Sequence, residues 1–282
     1  MSLRFNLLRG ITIIALVLIL PAAALGLQLA SNVEQGAVLV GQLSDDEQAV
    51  YLGDQLLPLS KDRRFIVGLD RDHGDELKLT VVGLDGQSSD HRFAVRARDY
   101  RIQRVEGIAR KIMNPNADDL NRIRAESALV REARAQHSAQ ESYLQPFVWP
   151  IKGPITGVYG SQRVYNGVPG RPHYGVDVAA PVGAKVRAPA AGTVSLVHDN
   201  MFYSGGTLII DHGHGLSSSF LHLSKILVEP GQQLTGGELI AEVGATGRAT
   251  GPHLDWRMNW RGARVDPELL VPPMIQSQTD AD

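Results

Sequence analysis

Two pairs of residues in the second half of the chain combine an imidazole with a carboxylate. His253 and Asp255 stand in an extended run after a loop rich in glycine, and in a β-strand residues at this spacing point to one face. His173 and Asp177 are separated by residues that disfavour a helix, so a turn leading into a strand would have to bring them together. Both side chains bind Zn²⁺ and both transfer protons, which predicts a metal site or an acid–base site. The structural alternative is a histidine at a strand start beside a surface aspartate.

Histidine is concentrated in this half of the chain, with six of the nine between residues 173 and 253. His222 interrupts an apolar strand, where a functional role competes with that of a buried imidazole bonded to a backbone carbonyl. For His212 and His214, in a glycine-rich turn, we expect structural roles. The chain contains no cysteine, so disulfides are excluded and any metal must be held by His, Asp or Glu.

Seven short motifs follow one another in the second half of the chain. They read His173-Tyr-Gly-Val-Asp177, Ala179-Ala-Pro-Val-Gly, Ala188-Pro-Ala-Ala-Gly-Thr-Val, Ile210-Asp-His-Gly-His-Gly, Phe220-Leu-His-Leu-Ser, Gly244-Ala-Thr-Gly and Gly251-Pro-His-Leu-Asp255. In this order they resemble the lysostaphin-type (LytM-like, β-lytic) zinc metallopeptidases, over about residues 147–268. The resemblance implies one Zn²⁺ ion and an endopeptidase that hydrolyses peptide bonds of bacterial peptidoglycan during cell-wall remodelling.

The resemblance also implies roles for individual residues. His173 and Asp177 correspond to metal ligands, and His222 and His253 to the two histidines that serve the attacking water and the oxyanion. His253 is the preferred general base, with His222 as the alternative. The third ligand of the family is the second residue of a His-x-His pair, a position that Asp255 occupies here. A carboxylate can bind zinc, but its negative charge should make the bound water less acidic.

This departure at Asp255 leaves two functional hypotheses. The first is an active zinc endopeptidase, which the retention of the other four site residues favours. The second is a catalytically impaired relative that binds peptidoglycan or activates another hydrolase. Tyr165, in a glycine-rich loop upstream of His173, is a further candidate as a substrate contact.

The first thirty residues have the pattern of a targeting segment. Arg4 and Arg9 precede an uncharged, almost wholly apolar run of 17 residues at 11–27. This pattern predicts a signal anchor, although Pro21 and the small residues after it leave a cleaved signal peptide as the alternative. Either outcome carries the rest of the chain across the cytoplasmic membrane, to the periplasm or cell envelope, anchored in the inner membrane or secreted.

The remainder predicts a mainly β protein in three parts. Residues 36–105 are expected to form a small β-sandwich-like domain, immunoglobulin-like in its strand spacing, that could bind a partner from the cell-wall machinery. A charged linker helix is predicted within residues 115–142, capped by Asn116, as a spacer or lid. Residues 146–272 are expected to form an antiparallel all-β peptidase domain. The net charge of −2 gives no reason to expect nucleic acid as a partner.

Overall fold

The computed structural model describes residues 27–105, 116–165 and 167–274. The predicted membrane segment at 1–30 lies almost entirely outside this part of the chain. Among the described residues, no helix is both long enough and apolar enough to cross a membrane. The described chain is mainly β with one α-helix, as the sequence predicted.

Six of the seven strands between residues 27 and 105 form two antiparallel sheets. The smaller sheet pairs β1 (Val38–Gln42) with β4 (Arg64–Gly68). The larger sheet has the order β3-β2-β5-β6 and contains β2 (Glu47–Leu52), β3 (Gln55–Leu56), β5 (Glu76–Gly83) and β6 (Ser88–Ala94). Alternate residues of β5 are buried, as its sequence pattern predicted. Together these two sheets contain six strands, one fewer than the seven-stranded immunoglobulin type.

The seventh strand of this part of the chain belongs to a separate three-stranded sheet. β7 (Ile102–Val105) pairs in parallel with β9 (Gln162–Tyr165), which also pairs with β10 (Val168–Pro169). Gly68 of β4 lies directly against Trp260, so close that a Cβ atom at Gly68 would be 2.6 Å from Trp260 Cβ. The first part of the chain therefore shares a sheet and a packing surface with the second.

The second half of the chain forms a ten-stranded antiparallel sheet. Seven strands follow the order β16-β13-β14-β15-β18-β11-β8, while β12 pairs with β17, β17 with β15, and β19 with β18. The ten strands are β8 (Ile155–Gly157), β11 (Val176–Ala179), β12 (Lys185–Arg187), β13 (Gly192–Met201), β14 (Gly205–Gly213), β15 (Leu216–Ile226), β16 (Gln233–Leu234), β17 (Leu239–Val243), β18 (His253–Trp260) and β19 (Ala263–Val265). The apolar residues of β18, Leu254, Trp256 and Met258, are fully buried.

The α-helix, α1 (Ala117–Ala135), begins at the predicted cap and ends earlier than predicted. Asn116 Oδ1 accepts a hydrogen bond from the backbone N–H of Asp119 at 2.8 Å, which stabilises the first turn. The linker helix expected within 115–142 stops at Ala135 because the following residues instead bond to the β14–β15 turn. There the backbone N–H of His214 donates to Ser138 O at 2.9 Å.

Two further contacts attach α1 to the central sheet. Arg122 Nη2 donates to Asn200 O at 2.5 Å, and the backbone N–H of Phe202 donates to Glu126 Oε2 at 2.8 Å. The helix thus packs beside β13 rather than standing free as a spacer. After it, short 3₁₀ turns at Ser142–Leu144 and Pro267–Leu270 complete the helical elements of the described chain.

Candidate metal centre

Three neighbouring strands bring the candidate residues to one face of the central sheet. In the register of β11 and β18, Asp177 lies directly opposite Asp255, and Asp255 also lies opposite Leu221 of β15. His253 and Asp255 share a face because they are two residues apart, while Leu254 between them is buried in the core. The predicted alternation of polar and apolar residues along this strand is therefore observed.

The three predicted ligands converge. One ligand atom from each of His173, Asp177 and Asp255 lies within 4.8 Å of the other two. His173 Nε2 is 3.2 Å from Asp177 Oδ1, yet both atoms are buried and neither makes a hydrogen bond with the described residues. Because buried polar atoms are normally paired, these two atoms have the arrangement of a metal site. One imidazole nitrogen and two carboxylates form a donor set that suits Zn²⁺.

Two glycines allow the backbones to approach closely enough for this convergence. A Cβ atom at Gly175 would lie 2.6 Å from Asp255 Oδ1, and one at Gly157 would lie 2.2 Å from Asp177 Oδ2. His173 itself is held by its backbone, since its N–H donates to Ser161 O at 2.7 Å. A loop and two strands therefore form the site, and they can approach this closely because Gly157 and Gly175 have no Cβ atom.

The two remaining histidines lie side by side next to the predicted ligands. Their ring centroids are 4.8 Å apart, and His253 Nε2 is 3.8 Å from Asp177 Oδ1. His222 Nδ1 is 2.8 Å from Thr246 O, and His253 Nδ1 is 2.8 Å from Gly251 O. A carbonyl oxygen only accepts hydrogen bonds, so each Nδ1 must carry a hydrogen. In the neutral ring, each Nε2 then has a free lone pair.

His222 adopts an unusual backbone conformation. Its φ is +63°, in the left-handed region that non-glycine residues rarely adopt, and it lies at a bulge where β15 has an extra residue relative to β14. Its side chain is buried, and burial lowers its pKa below the ordinary value although the bond to Thr246 O acts to raise it. Local strain of this kind is common at functional sites.

Arg257 is part of the site, although the sequence reading did not identify it. Its Nε lies 2.9 Å from Asp255 Oδ1, and its Nη2 lies 2.5 Å from Asp255 Oδ2. Burial acts to raise the pKa of Asp255, but the Arg257 guanidinium outweighs it, so that this pKa falls below its ordinary value. The sequence did contain one indication of Arg257. It continues the two-residue spacing of His253 and Asp255, which places all three residues on the same face of β18.

The other predicted residues lie in different surroundings. His212 is fully buried, with Nδ1 2.7 Å from Ala191 O and Nε2 2.8 Å from Ser218 Oγ, and burial lowers its pKa to about 4. His214 packs on the ring of Tyr143 with centroids 4.7 Å apart. Both geometries agree with the structural roles expected for these histidines. Tyr165 ends β9 next to residue 166, which lies outside the described residues, so its contact with substrate stays a prediction.

Comparisons with known proteins agree with this geometry. Residues 171–267 match the model of Peptidase family M23. The structure is similar to the crystal structure of a putative peptidase M23 from Pseudomonas aeruginosa, with 31% sequence identity and a TM-score of 0.67, covering 86% of this chain and 96% of that one. The chain belongs to peptidase family M23. The lysostaphin-type resemblance of its motifs is thereby confirmed.

Curated M23 relatives share different lengths of the chain. An uncharacterized metalloprotease of Haemophilus influenzae is 29% identical over 254 residues, which are 89% of this chain and 48% of that protein. The peptidoglycan DD-endopeptidase ShyB of Vibrio cholerae is 38% identical over 146 residues, which are 51% of this chain and 34% of that protein. The chain thus spans about half or less of the length of these two M23 relatives.

Proposed function

We propose that this chain is a zinc-dependent endopeptidase that hydrolyses peptide bonds in peptidoglycan, with one Zn²⁺ ion held by His173, Asp177 and Asp255. The observation that carries the proposal is the convergence of these three side chains beside the imidazoles of His222 and His253. Membership of family M23 supports the peptidase activity, and the relative named peptidoglycan DD-endopeptidase supports the substrate.

The residues of the chain divide the chemistry among them. A bound zinc ion would polarise the scissile carbonyl and lower the pKa of an attacking water. His253 Nε2 faces Asp177 with its lone pair free in the neutral ring, and it is placed to accept a proton from that water. Once protonated, the same nitrogen can donate to the leaving amine. The bond to Gly251 O holds the ring in the tautomer that this transfer requires.

His222 has a narrower set of roles than its motif implied. With Nδ1 committed to Thr246 O, its Nε2 donates a hydrogen bond only when the ring carries a second proton. Burial lowers the pKa of His222, which opposes that protonation at neutral pH. The neutral ring therefore favours His222 as a second proton acceptor, whereas stabilising an oxyanion would require the protonated ring.

Arg257 offsets the charge that the aspartate introduces. Two carboxylates and one imidazole give a ligand set of charge −2, whereas the family set with two imidazoles and one carboxylate has a charge of −1. The guanidinium bound to Asp255 restores the sum to −1. Neighbours that bind a metal ligand orient it and tune the metal. Arg257 thereby supports an active site with Asp255 as its third ligand.

A second candidate function follows from the same contact. Because Arg257 donates hydrogen bonds to both oxygens of Asp255, it competes in part with a metal for that carboxylate. This favours the alternative of a relative that binds peptidoglycan or activates another hydrolase without cutting. In both cases the sequence of residues 1–30 supports an envelope location, anchored to the inner membrane or secreted.

Metal analysis of the purified chain, run beside digestion of cross-linked muropeptides, separates the two functions. We expect about one zinc per chain and new amino termini that disappear on chelation and return with zinc. Asp177→Asn should lose both the metal and the cleavage, and Asp199→Asn, an exposed aspartate on β13, serves as the matched control. Peptidoglycan binding without metal or cleavage would instead establish the second function.

A further inference from the structure

The face of β18 that carries Asp255 continues into a group of arginines. Arg257 and then Asn259 follow Asp255 on this face. Ser219 of β15 lies opposite Arg257, and Arg264 of β19 lies opposite Asn259. Near the end of α1, Arg134 reaches across and donates from Nη2 to Ser219 Oγ at 3.0 Å. We call Arg134, Arg257 and Arg264 the arginine cluster.

Two members of the arginine cluster have no carboxylate partner among the described residues. Arg257 is paired with Asp255, but Arg134 bonds to a serine hydroxyl, and Arg264 donates to Asn259 Oδ1 at 2.5 Å. Burial lowers the pKa of both Arg134 and Arg264, and the neighbouring guanidinium groups act in the same direction. Positive charge is thus concentrated at a partly desolvated site, where uncompensated charge destabilises the protein when no anion is bound.

The same face presents hydrogen-bond donors that are not used by any acceptor among the described residues. Arg134 Nε and Asn259 Nδ2 are buried and make no hydrogen bond with the described residues. The cluster is nevertheless reachable, since the Arg257 side chain is 27% exposed and Arg134 and Arg264 are partly exposed. Unused donors and excess positive charge together fit an anion rich in acceptors. The planar fork of a guanidinium matches a carboxylate in particular.

We propose that the arginine cluster is an anion subsite that binds a free carboxylate of the peptide substrate while the scissile bond lies at His173, Asp177 and Asp255. The identity of the substrate rests on the proposed function, whereas carboxylate binding itself needs no catalysis. Arg134 and Arg264 have no carboxylate partner among the described residues whether or not a metal is bound, so their guanidinium groups remain to attract an anion. The subsite would orient a peptide along β18, with one end fixed by charge.

Calorimetric titration of the chelator-treated full chain tests the subsite without the reaction. The probes are diacetyl-L-lysyl-D-alanyl-D-alanine and its C-terminal amide, which differ only in the charged carboxylate. We expect the acid to bind about tenfold more tightly than the amide. Equal affinity of the two peptides for the wild-type chain would overturn the subsite. Inorganic phosphate is titrated in parallel, and tighter binding of phosphate than of the peptide acid would overturn the assignment to a carboxylate.

Arg134 and Arg264 have no carboxylate partner among the described residues, and variants of them test whether the arginine cluster causes the difference in affinity. Arg134→Gln and Arg264→Gln should each remove most of the difference between acid and amide while leaving the affinity for the amide unchanged. Arg131→Gln is the matched control, because Arg131 lies one turn earlier on the same helix and is exposed. A control variant that loses the discrimination as fully as Arg134→Gln would overturn the proposal.

Thermal unfolding separates recognition from folding. Replacing Arg134 by glutamine removes a desolvated charge and keeps a group able to donate to Ser219, so we expect a melting temperature that is unchanged or higher. A lowered melting temperature in both arginine variants would indicate a structural role and overturn the subsite. Preserved discrimination between acid and amide, without any cleavage by the zinc-loaded chain, would contradict the proposed activity and support the subsite. Cleavage by the zinc-loaded chain, together with equal binding of acid and amide, would support the proposed activity and contradict the subsite.

Discussion

Arg257 binds both carboxylate oxygens of Asp255, with Nε 2.9 Å from Oδ1 and 3.1 Å from Oδ2, and Nη2 2.5 Å from Oδ2. The carboxylate is only 2% exposed, and the two residues occupy successive positions on one face of β18. A buried charge pair of this geometry acts as a unit, because either partner left alone is a desolvated charge. Asp255 at the third ligand position and Arg257 two residues later are therefore parts of one arrangement.

Removing the guanidinium should destabilise the metal-free protein. Arg257→Gln leaves the Asp255 carboxylate buried beside Asp177, and we expect the free energy of unfolding to fall by about 3 kcal/mol. Zn²⁺ should recover more stability in this variant than in the wild-type chain, because the ion supplies the missing positive charge. Urea unfolding with and without zinc measures both effects. Lys185→Gln breaks an exposed pair with Glu242 and should change stability little, so equal losses in the two variants would contradict the prediction.

Restoring the family histidine should require a second change. Asp255→His alone places an imidazole against Arg257 and leaves the guanidinium without its carboxylate. We expect the double variant Asp255→His with Arg257→Gln to bind zinc about tenfold more tightly than the Asp255→His single variant. Competition with a chromophoric chelator gives the affinities. Strictly additive effects of the two substitutions would show that the pair is not coupled.

The histidines should separate metal binding from proton transfer. His222→Ala is expected to retain zinc and to lower kcat by a factor of about 10²–10⁴, the usual contribution of an acid or base. His173→Ala should lose zinc and activity together. Metal content and muropeptide turnover are measured on the same preparations. Release of zinc by His222→Ala would mean that His222 is a ligand.

The stability of the protein should decline in mild acid because of His212. Burial lowers its folded pKa to about 4, so between the unfolded value near 6.5 and about 4 the unfolded state binds the additional proton. Stability is therefore full above about pH 6.5 and is lost as the pH falls to about 4, by about 3 kcal/mol in total. Urea midpoints at pH 7.5 and pH 5 measure this slope. His212→Gln should flatten it, and an unchanged slope would assign the loss to other groups.

A single methyl group should disturb the ligand set. Gly175→Ala places a Cβ atom 2.6 Å from Asp255 Oδ1 and the same distance from Arg257 Cγ, so the pair must shift. We expect weaker zinc binding and a lower melting temperature. Gly251→Ala is the control beside the site, because nothing lies within 4 Å of its Cβ position. Matching zinc affinities for the two variants would contradict the close approach at Gly175.

The sequence determined the parts of the protein that depend on local chemistry. The order of the motifs indicated the family, and the resemblance to that family implied the candidate ligands His173, Asp177 and Asp255, which the structure brings together. The β character followed from alternating residues and glycine turns, and Asn116 marked the start of α1. These features can be predicted from the sequence because they depend only on the type and spacing of a few residues.

Only the tertiary structure decided the relations between distant residues. Strand register placed Arg257 on Asp255 and opposite Ser219, and packing brought Arg134 to Ser219 from a helix 85 residues away in sequence. Pairing of β7 with β9 moved the end of the first part into a sheet with the second, and a bulge set the left-handed backbone of His222. No local pattern encodes these contacts, because each depends on which strands pair, in which register, and on what packs against them.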